Sequence, residues 1–516
     1  MSRLLARALA LSHVQQAPLN ERSSNGLSSK AHPTVASGTT LPVPAPSPQW
    51  EPDRYDPYVC EYLGQNGCWF PSEIQEGPPY MGCEFPKRSK TCIVPAGGDP
   101  NGDDAPQILE AFRVCGNDGH IVFENTTYYI GTIMNTTGLK DVDVEVKGTL
   151  LWDTNIPYWL ANSMPIGFQN QTAAWHLGGE NLHFYGHGYG TLNGNGDTWY
   201  QFNDGVSNRH GRPHALLVTN TKNAVIEGLR FIKSQMWTMT VARSEKVLLQ
   251  DIYVNNSAPD SAPRSNVNTD GADTVYANNI TFLRWTTDNG DDAISPKQNS
   301  TNIYIANCTF VNGMGIAVGS IGQYPGQIEV VENITAVDIR CINSGYGARI
   351  KTWTGETKGY PPNGGGGGIG HAKNLTFKKF DLDNVNIAWA LAQCTNYEGQ
   401  QGGCDTSEFQ ISDIHWGNAQ GSLKGDRVAT LQCSAAAPCY NIELFNNDLW
   451  ALDQDIQATS YLCEAVENTI GFNCTGACDG QCPHLAWPLL RLLVNSRMVF
   501  SASPTSPDTS STRVAR

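Results

Sequence analysis

Short segments that alternate apolar and polar residues recur through the middle of the chain. "NAVIEGLRF" begins at Asn223, "EKVLLQDIYV" at Glu245, "NNITFLRW" at Asn278, "TNIYIANCTF" at Thr301, "ENITAVDIR" at Glu332 and "KNLTFKKFDL" at Lys373. Such alternation marks half-buried strands, and each segment gives way to Asn, Gly or Asp. The matching positions Val225, Val247, Ile280, Ile303, Ile334 and Leu375 stand 22, 33, 23, 31 and 41 residues apart. A repeat in the low twenties, lengthened in places by a loop, is the signature of a stacked solenoid. The pattern predicts an all-β chain, a right-handed parallel β-helix. A β-sandwich is the alternative, but Asn-Gly hairpin dipeptides rarely fall between the segments. One helix is expected ahead of the strands. Asp103, Asp104 and Pro106 precede Ile108, Leu109 and Phe112, and Gly116 follows as a stop signal, so this helix plugs one open end of the solenoid.

Composition agrees. The chain has 516 residues, 51 of them Gly, with 16% charged and 9% aromatic residues, which suits a folded, turn-rich β protein. A formal charge of −15 argues against a partner whose phosphates must be tracked, so no nucleic acid is expected. No apolar run has the length of a membrane-spanning helix.

Fifteen cysteines and ten Asn-X-Ser/Thr sequons together favour the secretory route. Cys92 to Cys115, Cys394 to Cys404, Cys433 to Cys439, and the group Cys474, Cys478 and Cys482 each enclose short loops. The last group could suggest zinc, but no histidines gather near it, and disulfides are the preferred reading. Residues 1–50 are expected to be a weak signal and linker, 51–90 a Cys-containing extension, 91–483 the β-helix and 484–516 a disordered tail.

Against this background "TTDNGDDAIS", residues 286–295, gathers Asp288, Asp291 and Asp292 between strand-like segments. Asp270 in "NTDGAD", Asp292 and Met314 in "NGMGIA" are spaced 22 and 22 apart, one coil each. That places them on one face, on rungs about 4.8 Å apart. Asp291 can share the cleft only where the strand bends, and Gly290 is expected to permit the bend. In "ARIKTW", Arg349 and Lys351 lie two apart, on one side of a strand. Three acids and two bases on one surface fit a calcium site, a structural ladder, or glycoside hydrolysis by crowded carboxylates of which one keeps its proton.

Of "NTDG" at 268–271, "GDD" at 290–292, "GMGIAVGSIGQY" at 313–324 and "RIK" at 349–351, three match, in order and spacing, the pattern of glycoside hydrolase family 28, the polygalacturonases, which the chain resembles. The resemblance runs from about Cys92 to Cys482, and "GSIGQY" resembles the fungal exo-acting members. It implies an inverting hydrolase of pectic polysaccharide, without a metal or other cofactor. By position, Asp291 would be the general acid, and Asp270 and Asp292 would activate water. Arg349 and Lys351 would bind a uronate carboxylate, Asn268 would hold Asp270 or the sugar, and Tyr397 would contact the sugar. An inverting pair is expected to stand roughly 6.5 to 9.5 Å apart. Where the family carries Gly-His-Gly this chain has Gly313-Met314-Gly315, which points to a shifted substrate.

The resulting expectation is a secreted exo-hydrolase releasing galacturonic acid from α-1,4-galacturonan. Removal of α-linked rhamnose or attack on rhamnogalacturonan is the alternative, followed by a calcium-dependent lyase and a silent carbohydrate-binding protein. Exo action would come from loops at one end of the cleft, with the insertions near 364–370 and before Asn266 as candidates. A monomer is the default.

Overall fold

The computed structural model describes residues 87–400, 402–478 and 482. The expected signal, linker and tail, and most of the 51–90 extension, lie outside the described residues.

The expected helix is Ala105–Cys115, and its start signals do more than begin it. Asp104 accepts from the backbone N–H of Tyr129 at 2.8 Å, and Asp103 accepts from that of Gly131 at 2.8 Å. Both acids thereby tie the helix to the first coils. Phe112 lies edge-on to Trp175, 6.1 Å between ring centroids, so the helix closes over the core.

From there the chain winds as a parallel β-helix. One stack runs through strands Pro213–Thr219, Met239–Ala242, Ala272–Val275, Ile294–Pro296, Ile316–Ile321, Tyr346–Trp353 and Ile387–Thr395. A second runs through Lys222–Ile232, Glu245–Gln250, Asn278–Leu283, Thr301–Asn312, Ile328–Ile342 and Ile369–Val385. In the second stack Val247, Ile280, Ile303, Ile334 and Leu375 form one inward column, as the spacing predicts. Val225 does not join it. Ala224 pairs with Val247, while Val225 pairs with Leu248 one position on. Since strand neighbours face opposite ways, Val225 belongs to a separate apolar cluster with Leu248, Leu283, Ala306 and Val337. Both faces are apolar here, so alternation alone could not choose the register.

Turns between stacks are held by asparagine ladders. Asn302 donates to Asn278 at 2.7 Å, Asn333 to Asn302 at 2.9 Å and Asn374 to Asn333 at 2.7 Å. Asn302, Asn333 and Asn374 have positive φ, a conformation Asn tolerates better than most residues. Asp288 belongs to a similar ladder, accepting from Asn312 at 2.8 Å, and has no part in the acid cluster described below.

The cysteines close small loops. Cys92–Cys115, Cys394–Cys404 and Cys433–Cys439 are bonded as their spacing suggested. The terminal group divides, with Cys474 bonded to Cys463 and Cys478 to Cys482, so it supplies no zinc thiolates. Cys308 and Cys341 are buried thiols.

Candidate active site

The first stack positions the acids. Ala272 pairs with Ile294 and Ile294 with Ile316, carrying the 22-residue offset through Asp270, Asp292 and Met314. Asp291 reaches the same cleft because the chain bends at Gly290 and Asp291. Gly290 is needed for closeness rather than for an unusual φ, since a Cβ there would lie 2.2 Å from the Asn266 carbonyl oxygen. Asn289 secures the bend by donating to the carbonyls of Thr269 at 3.1 Å and Asp292 at 2.9 Å.

Each of Asp270, Asp291 and Asp292 brings one carboxylate oxygen within 4.8 Å of the others. All three residues are buried, so each carboxylate meets its neighbours through little water.

Charge is distributed unevenly over them. Burial resists ionisation of Asp292, but Arg349, Lys351 and Lys297 outweigh it and hold its carboxyl well below the usual range. Arg349 donates to Asp292 Oδ1, and Lys351 Nζ to Oδ2 at 2.8 Å. Burial and the charge of Asp292 instead push Asp291 up to about 6. Burial, then the charges of Asp291, Asp273 and Asp292, push Asp270 well above an ordinary aspartate. Asp270 Oδ1 has no hydrogen-bond partner.

Arg349 and Lys351 thus lie on one side of strand Tyr346–Trp353, as their spacing predicted, and both grip an acid of the cluster. The Arg349 guanidinium also lies over the Tyr346 ring, 5.0 Å from its centroid. Asn268 donates to Asp291 Oδ2 at 3.1 Å, rather than to Asp270 as one expectation had it. Tyr397 makes none of the cluster's hydrogen bonds. It sits in the turn Tyr397–Gly399 with its ring against Gly359. Met314 packs beside Tyr346, Ile387, Ala390 and Ala392, giving the rung next to Asp292 an apolar side.

Lys297 and Asp273 escaped the sequence reading. Lys297 Nζ stands 3.1 Å from Asp273 Oδ1, donates to Ser295 Oγ and the Gly319 carbonyl at 3.0 Å each, and lies 4.8 Å from the Trp237 ring centroid. Burial pushes Asp273 up to about 7 despite Lys297. Trp237 stacks on buried His214 at 4.4 Å, and burial keeps that imidazole neutral by lowering its proton affinity. Asp273 stands three residues after Asp270 in "NTDGAD", but only the strand register reveals its buried cation.

Three carboxylates this close could face one cation. Both oxygens of Asp292, however, already accept from Arg349 and Lys351. The arrangement suits proton transfer: one acid held ionised, a neighbour that keeps its proton up to about pH 6, and an unpartnered oxygen on the third.

The family model described as "Glycosyl hydrolases family 28" matches residues 131–471. The chain belongs to that family. Its similarity to the alpha-L-rhamnosidase rgxB of Aspergillus niger is 47% identity over 386 residues, covering 75% of this chain and 90% of that one. To exopolygalacturonase X of Aspergillus niger it is 36% identical over 406 residues, covering 76% and 90%. Among solved structures, an endo-xylogalacturonan hydrolase from Aspergillus tubingensis superposes with a TM-score of 0.65 at 27% identity, covering 75% of this chain and 99% of that one. This family 28 chain is a pectin-degrading glycoside hydrolase.

Proposed function

We propose that this family 28 chain is a secreted, exo-acting α-L-rhamnosidase that removes terminal rhamnose from pectic chains. The observation that carries the reading is the engagement of Arg349 and Lys351 by Asp292, beside the apolar wall that Met314 forms with Tyr346. A terminal uronate would have to compete with Asp292 for both cations. A 6-deoxy sugar needs no cation and offers a methyl group to an apolar wall. The 47% identity to a rhamnosidase points the same way. Release of galacturonic acid is the second reading, favoured by retention of Arg349 and Lys351, which can open to receive a carboxylate.

In either case Asp291 gives its proton to the glycosidic oxygen as the bond to the anomeric carbon breaks. Water attacks that carbon from the opposite face, and its proton passes to the Asp270–Asp292 pair. Asp292, the acid held ionised, takes that proton, and Asp270, which keeps its own, faces the water with an unpartnered oxygen. Asn268 orients Asp291, and the alkyl stem of Lys351 and the Tyr346 ring border the sugar. Disulfides and sequons support secretion.

The test is product analysis with purified protein. Tri-galacturonic acid, a rhamnogalacturonan oligomer ending in rhamnose and an aryl α-rhamnoside are incubated separately. Free rhamnose from the last two supports the proposal. Free galacturonic acid from the first, with no rhamnose from the others, overturns it in favour of the second reading.

A further inference from the structure

Asn268 is the only described side chain that hydrogen-bonds Asp291 from outside the three-acid cluster at ordinary distance, and its orientation is set from elsewhere. The backbone N–H of Asn208 donates to Asn268 Oδ1 at 2.8 Å. A carboxamide has one accepting end and one donating end. A backbone N–H can only donate, so Asn208 claims the accepting end and turns the Nδ2 donor toward Asp291.

Asn208 lies on the segment 204–209, which side-chain amides fasten on two sides. Asn208 Nδ2 donates to Asn363 Oδ1 at 3.2 Å, and Asn363 Nδ2 donates back to the Ser207 carbonyl at 3.2 Å. Gln171 Nε2 donates to Asn208 Oδ1 at 3.3 Å. Gln323 continues the belt, accepting from Gln169 at 2.6 Å and donating to the carbonyls of Pro362 at 3.0 Å and Gly364 at 2.9 Å. Segments more than 150 residues apart are thereby joined beside the acids.

We propose that segment 204–209 is a strap in which Asn208 is a positioning residue for the general acid. It fixes the amide of Asn268 with its donor toward Asp291, while Asn363 and Gln171 hold the strap in place. This rests on the proposed role of Asp291.

Loosening the strap lets the Asn268 amide turn. Its oxygen would then accept from protonated Asp291 and make it a weaker acid. Asp291 is also faced by Asp270, Asp273, Asp292, Arg349, Lys351, Lys297 and Arg212, none of which the test disturbs.

Asn363→Ala removes both strap bonds from an exposed side chain, and Asn363→Asp keeps only the accepting one. Each is assayed on whichever substrate the wild type cleaves, so a wrong substrate shows in the wild type and a wrong strap shows only in the variants. The expected result for Asn363→Ala is an alkaline limb of kcat moved to higher pH by half a unit or more, with a lower kcat. Asn363→Asp should fall between. In an Asn268→Ala background, Asn363→Ala should leave the limb where it was. An unmoved limb in a folded Asn363→Ala protein would overturn the proposal. So would a limb shift of the same size without Asn268.

Discussion

Asp291 and Asp292 are neighbours in sequence whose carboxyls share one cleft, yet their surroundings drive their proton affinities apart. Arg349 and Lys351 grip Asp292 directly, whereas Arg349 Nη2 stands 3.9 Å from Asp291 Oδ1. Burial is common to both residues, so the difference comes from where the cations sit. Separating the affinities of two adjacent carboxylates is how one site keeps an acid and a base at a single pH.

This separation sets the pH profile. Asp291 must be protonated, and its carboxyl is pushed up to about 6, so activity should fall as pH rises through about 6. Asp292 must be ionised and its carboxyl is held low, so the acid limb should lie below the ordinary aspartate range. Lys351 favours the ionised form of both acids. Lys351→Met should therefore move both limbs to higher pH, by about one unit or more. A kcat/KM profile of each protein checks this. Because the acids are coupled, the limbs report the cluster as a whole.

Replacing Asp291 by Asn preserves size and removes the proton donor. With Asp291 as general acid, kcat should drop about a hundred- to ten-thousand-fold. The drop should be smaller on an aryl glycoside, whose leaving group needs little protonation. Comparing the aryl substrate with an oligosaccharide separates loss of the acid from general damage. Equal losses on both would remove Asp291 from that role.

Much of the site was legible because a parallel β-helix turns sequence offsets into spatial columns. The two steps of 22 residues placed Asp270, Asp292 and Met314 together, and the two-residue spacing in "RIK" placed Arg349 beside Lys351. What escaped were contacts between columns. Lys297 meets Asp273 across a rung, and Asn208 reaches Asn268 over 60 residues, neither following from a repeat. Val225 was misplaced because apolar residues occupy both faces of its strand.

A calcium-dependent reaction makes a different prediction from this geometry. Any ion bound by all three acids would have to displace Arg349 and Lys351 from Asp292. Chelator should leave the rate unchanged and added calcium should not raise it. Products should lack the ultraviolet absorbance of an unsaturated uronide. Loss of activity on chelation, restored by calcium, would contradict this.

Met314 tests the choice of sugar. It is aligned one rung from Asp292, and its sulfur packs closely on Gly345, where an added Cβ would lie 2.7 Å away. Met314→His restores a side chain able to hydrogen-bond and titrate. The ratio of kcat/KM for a rhamnoside to that for a galacturonide should fall by roughly tenfold or more, the scale set by one mismatched polar contact. An unchanged ratio would detach Met314 from specificity.

The stereochemical outcome is the sharpest remaining prediction. Carboxylates clustered with oxygens within 4.8 Å of one another raise the question of a covalent intermediate, as in retaining enzymes. The bonding argues against it, since a nucleophilic carboxylate needs a free oxygen lone pair. Arg349 and Lys351 draw electron density from both oxygens of Asp292, and Asp270 holds its proton too strongly to stay ionised beside Asp291. Water whose proton passes to ionised Asp292 attacks with no bond from carbon to either aspartate and inverts the anomeric centre in one displacement. Proton NMR during the first minutes of hydrolysis should show the β anomer appearing first from an α-linked substrate, before mutarotation. Initial appearance of the α anomer would mean that one of these two aspartates is a nucleophile after all.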